Sequence, residues 1–127
     1  MLDRIDIHIE VPRVDYEKLS GTRLGEISEA IRGRVQTTRN IHNKRFYNGE
    51  VQDIVCNADM RVGEVRQFCE LQAEGQSLMR SAMSQCRARA CYRILKLSRT
   101  IADLAGSEEI KSPHLAEALQ YRPKIMM

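Results

Sequence analysis

The chain has 127 residues with a formal net charge of +3, and 29% of it is Asp, Glu, Lys or Arg. That length suits one compact domain with a core of its own. No apolar run approaches the roughly 20 residues needed to cross a bilayer, no basic-then-apolar leader opens the sequence, and a cytoplasmic setting follows.

In chain order, the first pattern is an alternation. Ile5, Ile7, Ile9 and Val11 are interleaved with Asp6, His8 and Glu10, and Pro12 follows. Period two predicts a half-buried strand, and proline ends it. Nothing later reads as its partner, and a lone strand is not a stable unit. The segment 1–12 is therefore expected to be the terminal strand of a larger core lying upstream, with residues 13–127 forming a helical domain.

Residues 13–22 read as a polar connector. A helix is expected from near 23–26 to about Asn43, with Leu24, Ile27, Ile31, Val35 and Thr38 on its apolar stripe. Glu26 and Glu29 early and Arg39 and Lys44 late suit the helix dipole. Residues 46–60 read as loop. Two short helices are expected at Arg61–Glu70, with Val62, Val65, Phe68 and Cys69 inward, and at Ala73–Ser84, with Leu78, Met79 and Met83 inward. A longer one follows at about 88–105. Its stripe is Cys91, Ile94, Leu95, Ser98, Ile101, Ala102 and Ala105, with Arg89, Arg93 and Lys96 opposite and in solvent. Gly106 is its stop signal. Ser112-Pro113, a cap and a first-turn proline, open a last helix over His114–Tyr121. The expected fold class is mainly α, a bundle of about five helices preceded by one strand.

Two segments, Arg32–Arg45 and Arg87–Arg99, each hold five basic residues and no acid. Such clusters are solvated helix faces or phosphate-binding surfaces. The cysteines (56, 69, 86, 91) lack C-x-x-C spacing and the histidines are scattered, so no metal site is expected. Reduced, mostly buried thiols fit an intracellular protein. There is no G-x-x-x-x-G-K-[ST], G-x-S-x-G or H-E-x-x-H, and no general acid, base and nucleophile can be assembled. A complete active site is not expected.

Several stretches nevertheless carry a resemblance. Leu2-Asp-Arg-Ile-Asp-Ile-His-Ile-Glu-Val-Pro12, Gly25-Glu26 before Ile31-Arg32-x-Arg34-Val35, Arg45-Phe46 and Asn57-Ala-x-Met60 are four of them. Tyr92-Arg-Ile-Leu-Lys-x-x-Arg-Thr-Ile-Ala-Asp-Leu-Ala-Gly-Ser-Glu108 and His114-Leu-Ala-Glu-Ala-Leu-Gln-Tyr-Arg122 complete the set. Together they resemble the C-terminal part of the magnesium-chelatase-like AAA+ ATPases, of the ComM/YifB type. The resemblance implies a helical lid whose nucleotide-binding core lies upstream. ATP with Mg would bind the full-length parent rather than this chain. The partners would be that core and identical neighbours in a hexameric ring, with DNA as the parent's substrate and no membrane.

The resemblance also gives arginines roles. Arg4 matches an arginine finger reaching a neighbouring subunit's phosphates, where a planar, always-charged guanidinium stabilises developing charge. Its plain alternative is a strand-edge arginine paired with Asp3 or Asp6. Arg89 matches the lid arginine that senses the nucleotide's phosphate, and its alternative is a solvated first-turn residue. The family often shows Ser-Ala-Arg-Ala-Tyr where this chain has Arg87-Ala-Arg89-Ala-Cys91, so Arg87 is a second candidate. Two other readings stay open: a free-standing helical nucleic-acid-binding module using both basic clusters, and the lid of a true porphyrin magnesium-chelatase motor subunit.

Overall fold

A computed structural model describes residues 5–22, 24–47, 54–84 and 88–122. Six α-helices and one short 3-10 turn make up its elements: α1 (Tyr16–Ser20), α2 (Ser28–Tyr47), the turn Asn57–Asp59, α3 (Val62–Phe68), α4 (Ala73–Met83), α5 (Ala88–Leu104) and α6 (Ser112–Gln120). The expected helical bundle is present.

α5 is the centre of the bundle and touches α2, α3, α4, α6 and the 3-10 turn. Two apolar clusters meet along it. One gathers Phe46, Ile54, Met60, Val65, Cys69, Ala102 and Ile110; Phe46 and Phe68 meet there edge to face, ring centres 5.6 Å apart. The other gathers Met79, Ile94, Leu115 and Ala118. Leu71 and Leu95 border both. The phase of α5 follows its stripe as far as Ala102, because Ile94, Ser98 and Ala102 are buried while Cys91, Leu95 and Ile101 are half-buried; Ala105, beyond the helix, is exposed. The Ser98 hydroxyl, fully buried, donates to the Ile94 carbonyl at 2.7 Å, so burial leaves no orphan donor. The helix ends in a Schellman arrangement: Ser107 N–H donates to the Ala102 carbonyl at 2.9 Å and Gly106 N–H to that of Asp103 at 3.1 Å. Gly106 adopts φ 72°, which a residue without Cβ reaches without strain.

Several boundaries differ from expectation. α1 lies within the segment read as a connector. α2 begins at Ser28, because the Ile27 carbonyl accepts the first turn's bonds and Glu26, outside the helix, pairs with Arg34 at 2.9 Å. Only the second half of α2 packs: Thr38, His42 and Phe46 are buried, while Leu24, Ile27, Ile31 and Val35 are exposed. The N-cap of α6 is Lys111 rather than Ser112. Lys111 N–H donates to His114 Nδ1 at 3.0 Å, and Ser112 Oγ donates instead to Glu74 Oε2 at 3.3 Å, joining α6 to α4.

The described part of the expected strand, residues 5–11, is extended chain without a sheet. No strand exists among the described residues for it to pair with, and the one backbone bridge in the bundle joins Leu71 to Ile110. A strand is defined by its ladder. Here a single bond stands in for one, from His8 N–H to the Tyr121 carbonyl at 2.8 Å.

Candidate functional site

Arg89 occupies the first turn of α5 and is exposed, and among the described residues its guanidinium has no hydrogen-bond or ion-pair partner. It stands at the rim of a shallow groove of about 330 Å³ between the start of α3 and the outer face of α5. Met60, Val62, Val65 and Tyr92 form the apolar part of its wall; Arg61, Arg89, Arg93 and Lys96 supply four cations and no acid lines it. Helical spacing explains the grouping. Arg89, Arg93 and Lys96 recur at steps of four and three, which places them on one face. Arg61, just before α3, supplies the fourth cation from across the groove. The free N–H groups of a helix start add a partial positive charge.

Arg61 is tethered to Glu64 at 3.4 Å, and Arg93 Nε lies 3.8 Å from Asp6 Oδ1. Lys96 Nζ donates to the Ala58 carbonyl at 3.3 Å. Arg93 and Lys96 are thus half-buried and engaged, not in solvent as their position opposite the stripe suggests. The groove's chemistry is that of an anion site: fixed cations with an apolar floor beneath, suited to phosphate oxygens. No Asp, Glu, His, Ser or Cys lines it. Arg4 and Arg87 lie outside the described residues.

Sequence reasoning missed the most charged part of the interior. Asp103, its side chain 1% exposed, sits at the centre of a buried network. Arg45 grips its carboxylate with two bonds of 2.8 Å. Arg99, one helical turn earlier, donates from Nε at 3.2 Å, and His42 Nε2 lies 3.1 Å away. The Asn57 amide donates to Asp103 and to Thr100 Oγ1, each at 3.0 Å, while its own oxygen accepts from Arg45 at 2.9 Å. Arg99 also donates to the carbonyls of Ser107 and Glu108 at 2.9 and 3.0 Å, fastening the turn after α5. Burial by itself raises the Asp103 pKa; the bonds from Arg45, His42 and Asn57 outweigh it and hold the carboxyl well below the usual carboxylate range.

This network takes one member from each basic cluster, Arg45 and Arg99, out of the solvent. The signal for it was the resemblance itself, since Arg45, Asn57, Arg99 and Asp103 all fall in its quoted stretches. A larger cleft of about 600 Å³ runs along α2 past Arg39, His42, Asn57 and Leu104, and Arg89 is not in its wall. Among the described residues no group of three His, Cys, Asp or Glu side chains could hold a metal ion, and no helix is long and apolar enough to cross a membrane.

Residues 25–122 match the family described as magnesium chelatase, subunit ChlI C-terminal. The competence protein ComM of Haemophilus influenzae is 38% identical over 129 residues, covering 99% of this chain and 24% of ComM. The YifB protein of Escherichia coli is 36% identical over 124 residues, covering 95% of the chain and 23% of YifB; that of Salmonella typhimurium is 30% identical over the same length. The chain therefore spans about a quarter of the length of the curated relatives it matches. With its helical bundle and a match running through all of its main helices, the chain belongs to the magnesium chelatase ChlI C-terminal family, on the ComM and YifB side of it.

Proposed function

We propose that this chain is the helical lid of a ring-forming, magnesium-chelatase-like ATPase, with Arg89 reading the phosphates of the nucleotide bound by its own subunit and Arg4 acting as an arginine finger toward a neighbour. The observation that carries the reading is Arg89: a guanidinium without a partner among the described residues, on the first turn of the central helix, at the rim of a groove with three further cations. A lid needs one face that packs and one that presents fixed positive charge, and α5 has both. The lining fits a phosphate, and we assign ATP with Mg to the longer protein. DNA is the proposed substrate of that protein, on the strength of its likeness to the competence protein ComM.

The free-standing nucleic-acid module is the weaker reading. Non-specific binding depends on freely presented cations, and here the half-buried Arg45 and the buried Arg99 are engaged by Asp103 while Arg34 is paired with Glu26.

The test uses the full-length protein carrying this domain. Arg89→Ala should weaken ATP binding and turnover together. Arg4→Ala should leave affinity nearly intact and lower kcat by about 10³-fold, because a finger acts on the transition state. Arg87→Ala should leave both close to wild type. Arg4→Ala subunits mixed with phosphate-loop-defective subunits should recover turnover, since each supplies what the other lacks. Unchanged ATP binding in Arg89→Ala, or a mixture as inactive as its components, would remove the corresponding assignment. The 127-residue chain alone should neither hydrolyse ATP nor bind it tightly.

A further inference from the structure

The apolar stripe of α2 is covered over only half its length. Thr38, His42 and Phe46 are buried in the half that packs with α5. Ile27, just before the helix, Ile31 and Val35 carry the same stripe backwards at steps of four, four and three residues, which keeps them on that face. Yet Ile27 is exposed, and Ile31 and Val35 are each 42% exposed. The cover stops where α5 stops. Leu104, its last residue, is also exposed and lines the cleft of about 600 Å³ together with Val35 and Val55. An apolar helix face is stable when something packs on it, and an exposed apolar patch continuous with the core marks an interaction surface. The charge on this surface has one sign. Arg39 and His42 line the cleft and no carboxylate does. Arg39 is exposed and has no hydrogen-bond or ion-pair partner among the described residues.

Two observations identify the occupant. This chain covers 24% of ComM and 23% of the Escherichia coli YifB protein, so such relatives hold about four times as much polypeptide. The uncovered apolar surface is gathered toward the start of the family's domain. Most exposed large apolar side chains among the described residues fall between Ile5 and Val35, and the family match opens at residue 25. Two parts of one polypeptide meet at an effective concentration on the order of millimolar, which favours a tethered occupant over a separate molecule. We propose that the first half of α2, with Val55 and Leu104 at its far end, is the docking face for the upstream ATPase core of the same subunit, which sets an apolar surface on the stripe and a carboxylate against Arg39. The inference rests on the lid reading given above in taking an ATPase core to lie upstream, and it uses neither Arg4 nor Arg89.

Hydroxyl-radical footprinting, read by peptide mass spectrometry, measures how openly each side chain meets solvent. In full-length protein without nucleotide, diluted until monomeric, Ile27, Ile31, Val35 and Leu104 should be modified about threefold or more slowly than in the 127-residue chain, because the centre of an interface excludes water. Ile31→Asp should return Ile27, Val35 and Leu104 to the rates of the 127-residue chain, and Ile31→Leu should keep them slow. Neither change should move the melting temperature of the 127-residue chain, where Ile31 is exposed. Arg39→Glu should restore part of the access. Equal rates in the two proteins overturn the docking, and an Arg39→Glu protein as protected as wild type overturns the charge match. Slowing that appears only at concentrations where subunits assemble gives the face to a neighbouring subunit; slowing in the 127-residue chain as its concentration rises gives it to a second copy. Either result overturns the proposal. The lid reading is judged separately. A protected stripe beside unchanged ATP binding in Arg89→Ala keeps the docking and removes the sensor, and an accessible stripe beside impaired Arg89→Ala does the reverse.

Discussion

Asp103 gives up nearly all of its hydration on folding, and that loss by itself would drive its carboxyl toward protonation. Arg45, His42 and Asn57 reverse the balance by meeting both oxygens. Because its folded pKa is depressed, the stability it contributes is complete above the ordinary carboxylate range and is lost as pH falls through and below it. Thermal unfolding followed by circular dichroism should show Tm constant from pH 7 to 5 and falling below about pH 4, and Asp103→Asn should flatten that fall. The same variant should cost roughly 3–5 kcal/mol at pH 7, since it leaves the buried Arg99 and the largely covered Arg45 without their counter-charge. Cys69 shows burial winning instead. Desolvation pushes its thiol up to about 11 against the opposing field of Arg99. It should resist iodoacetamide at pH 8 in the folded chain and react once denatured, as peptide mass spectrometry would show.

Among the elements, α5 was the most legible in the sequence. Its stripe recurs at three and four residues, and Gly106 marks its end. Ile94→Ala should therefore cost roughly 2–5 kcal/mol in urea unfolding, whereas Arg93→Ala should stay within about 0.5 kcal/mol, because its contact with Asp6 is partly exposed. What the periodicity could not show was that Arg99 and Asp103 lie inside. A one-dimensional stripe ranks residues by hydrophobicity, and a charged side chain enters a core only when partners far along the chain, here Arg45 and Asn57, come to meet it. The start of α2 was misplaced for a related reason. Leu24 and Ile27 continue the helical phase, yet Glu26 folds back on Arg34 and the first turn hangs on Ile27. Alternation in residues 5–11 predicted a strand, but alternation describes faces, and a ladder needs a second chain. The groove was half legible: Arg89, Arg93 and Lys96 share a face by spacing, whereas Arg61 joins them only through the packing of α3 on α5.

Across the whole molecule, apolar burial is unevenly distributed. Ile5, Ile7, Ile9, Val11, Leu19, Leu24, Ile27, Ile31 and Val35 are all exposed, whereas the buried core begins at Thr38 and runs to Ala118. The described part of the N-terminal third therefore gains little from folding onto the rest. Denaturant sensitivity measures the surface uncovered on unfolding, not the number of residues in the chain. The urea m-value should accordingly match a domain spanning residues 38–122 and fall short of one expected for 127. Removing residues 1–24 should leave both the m-value and the transition midpoint unchanged within about 15%, the uncertainty of the extrapolation. A marked drop in m would instead mean that the first third unfolds together with the bundle. With an intact m-value, the cooperative unit of this protein is smaller than its polypeptide, and its melting temperature reports on α5 and the helices around it while saying nothing about the chain from Ile5 to α1.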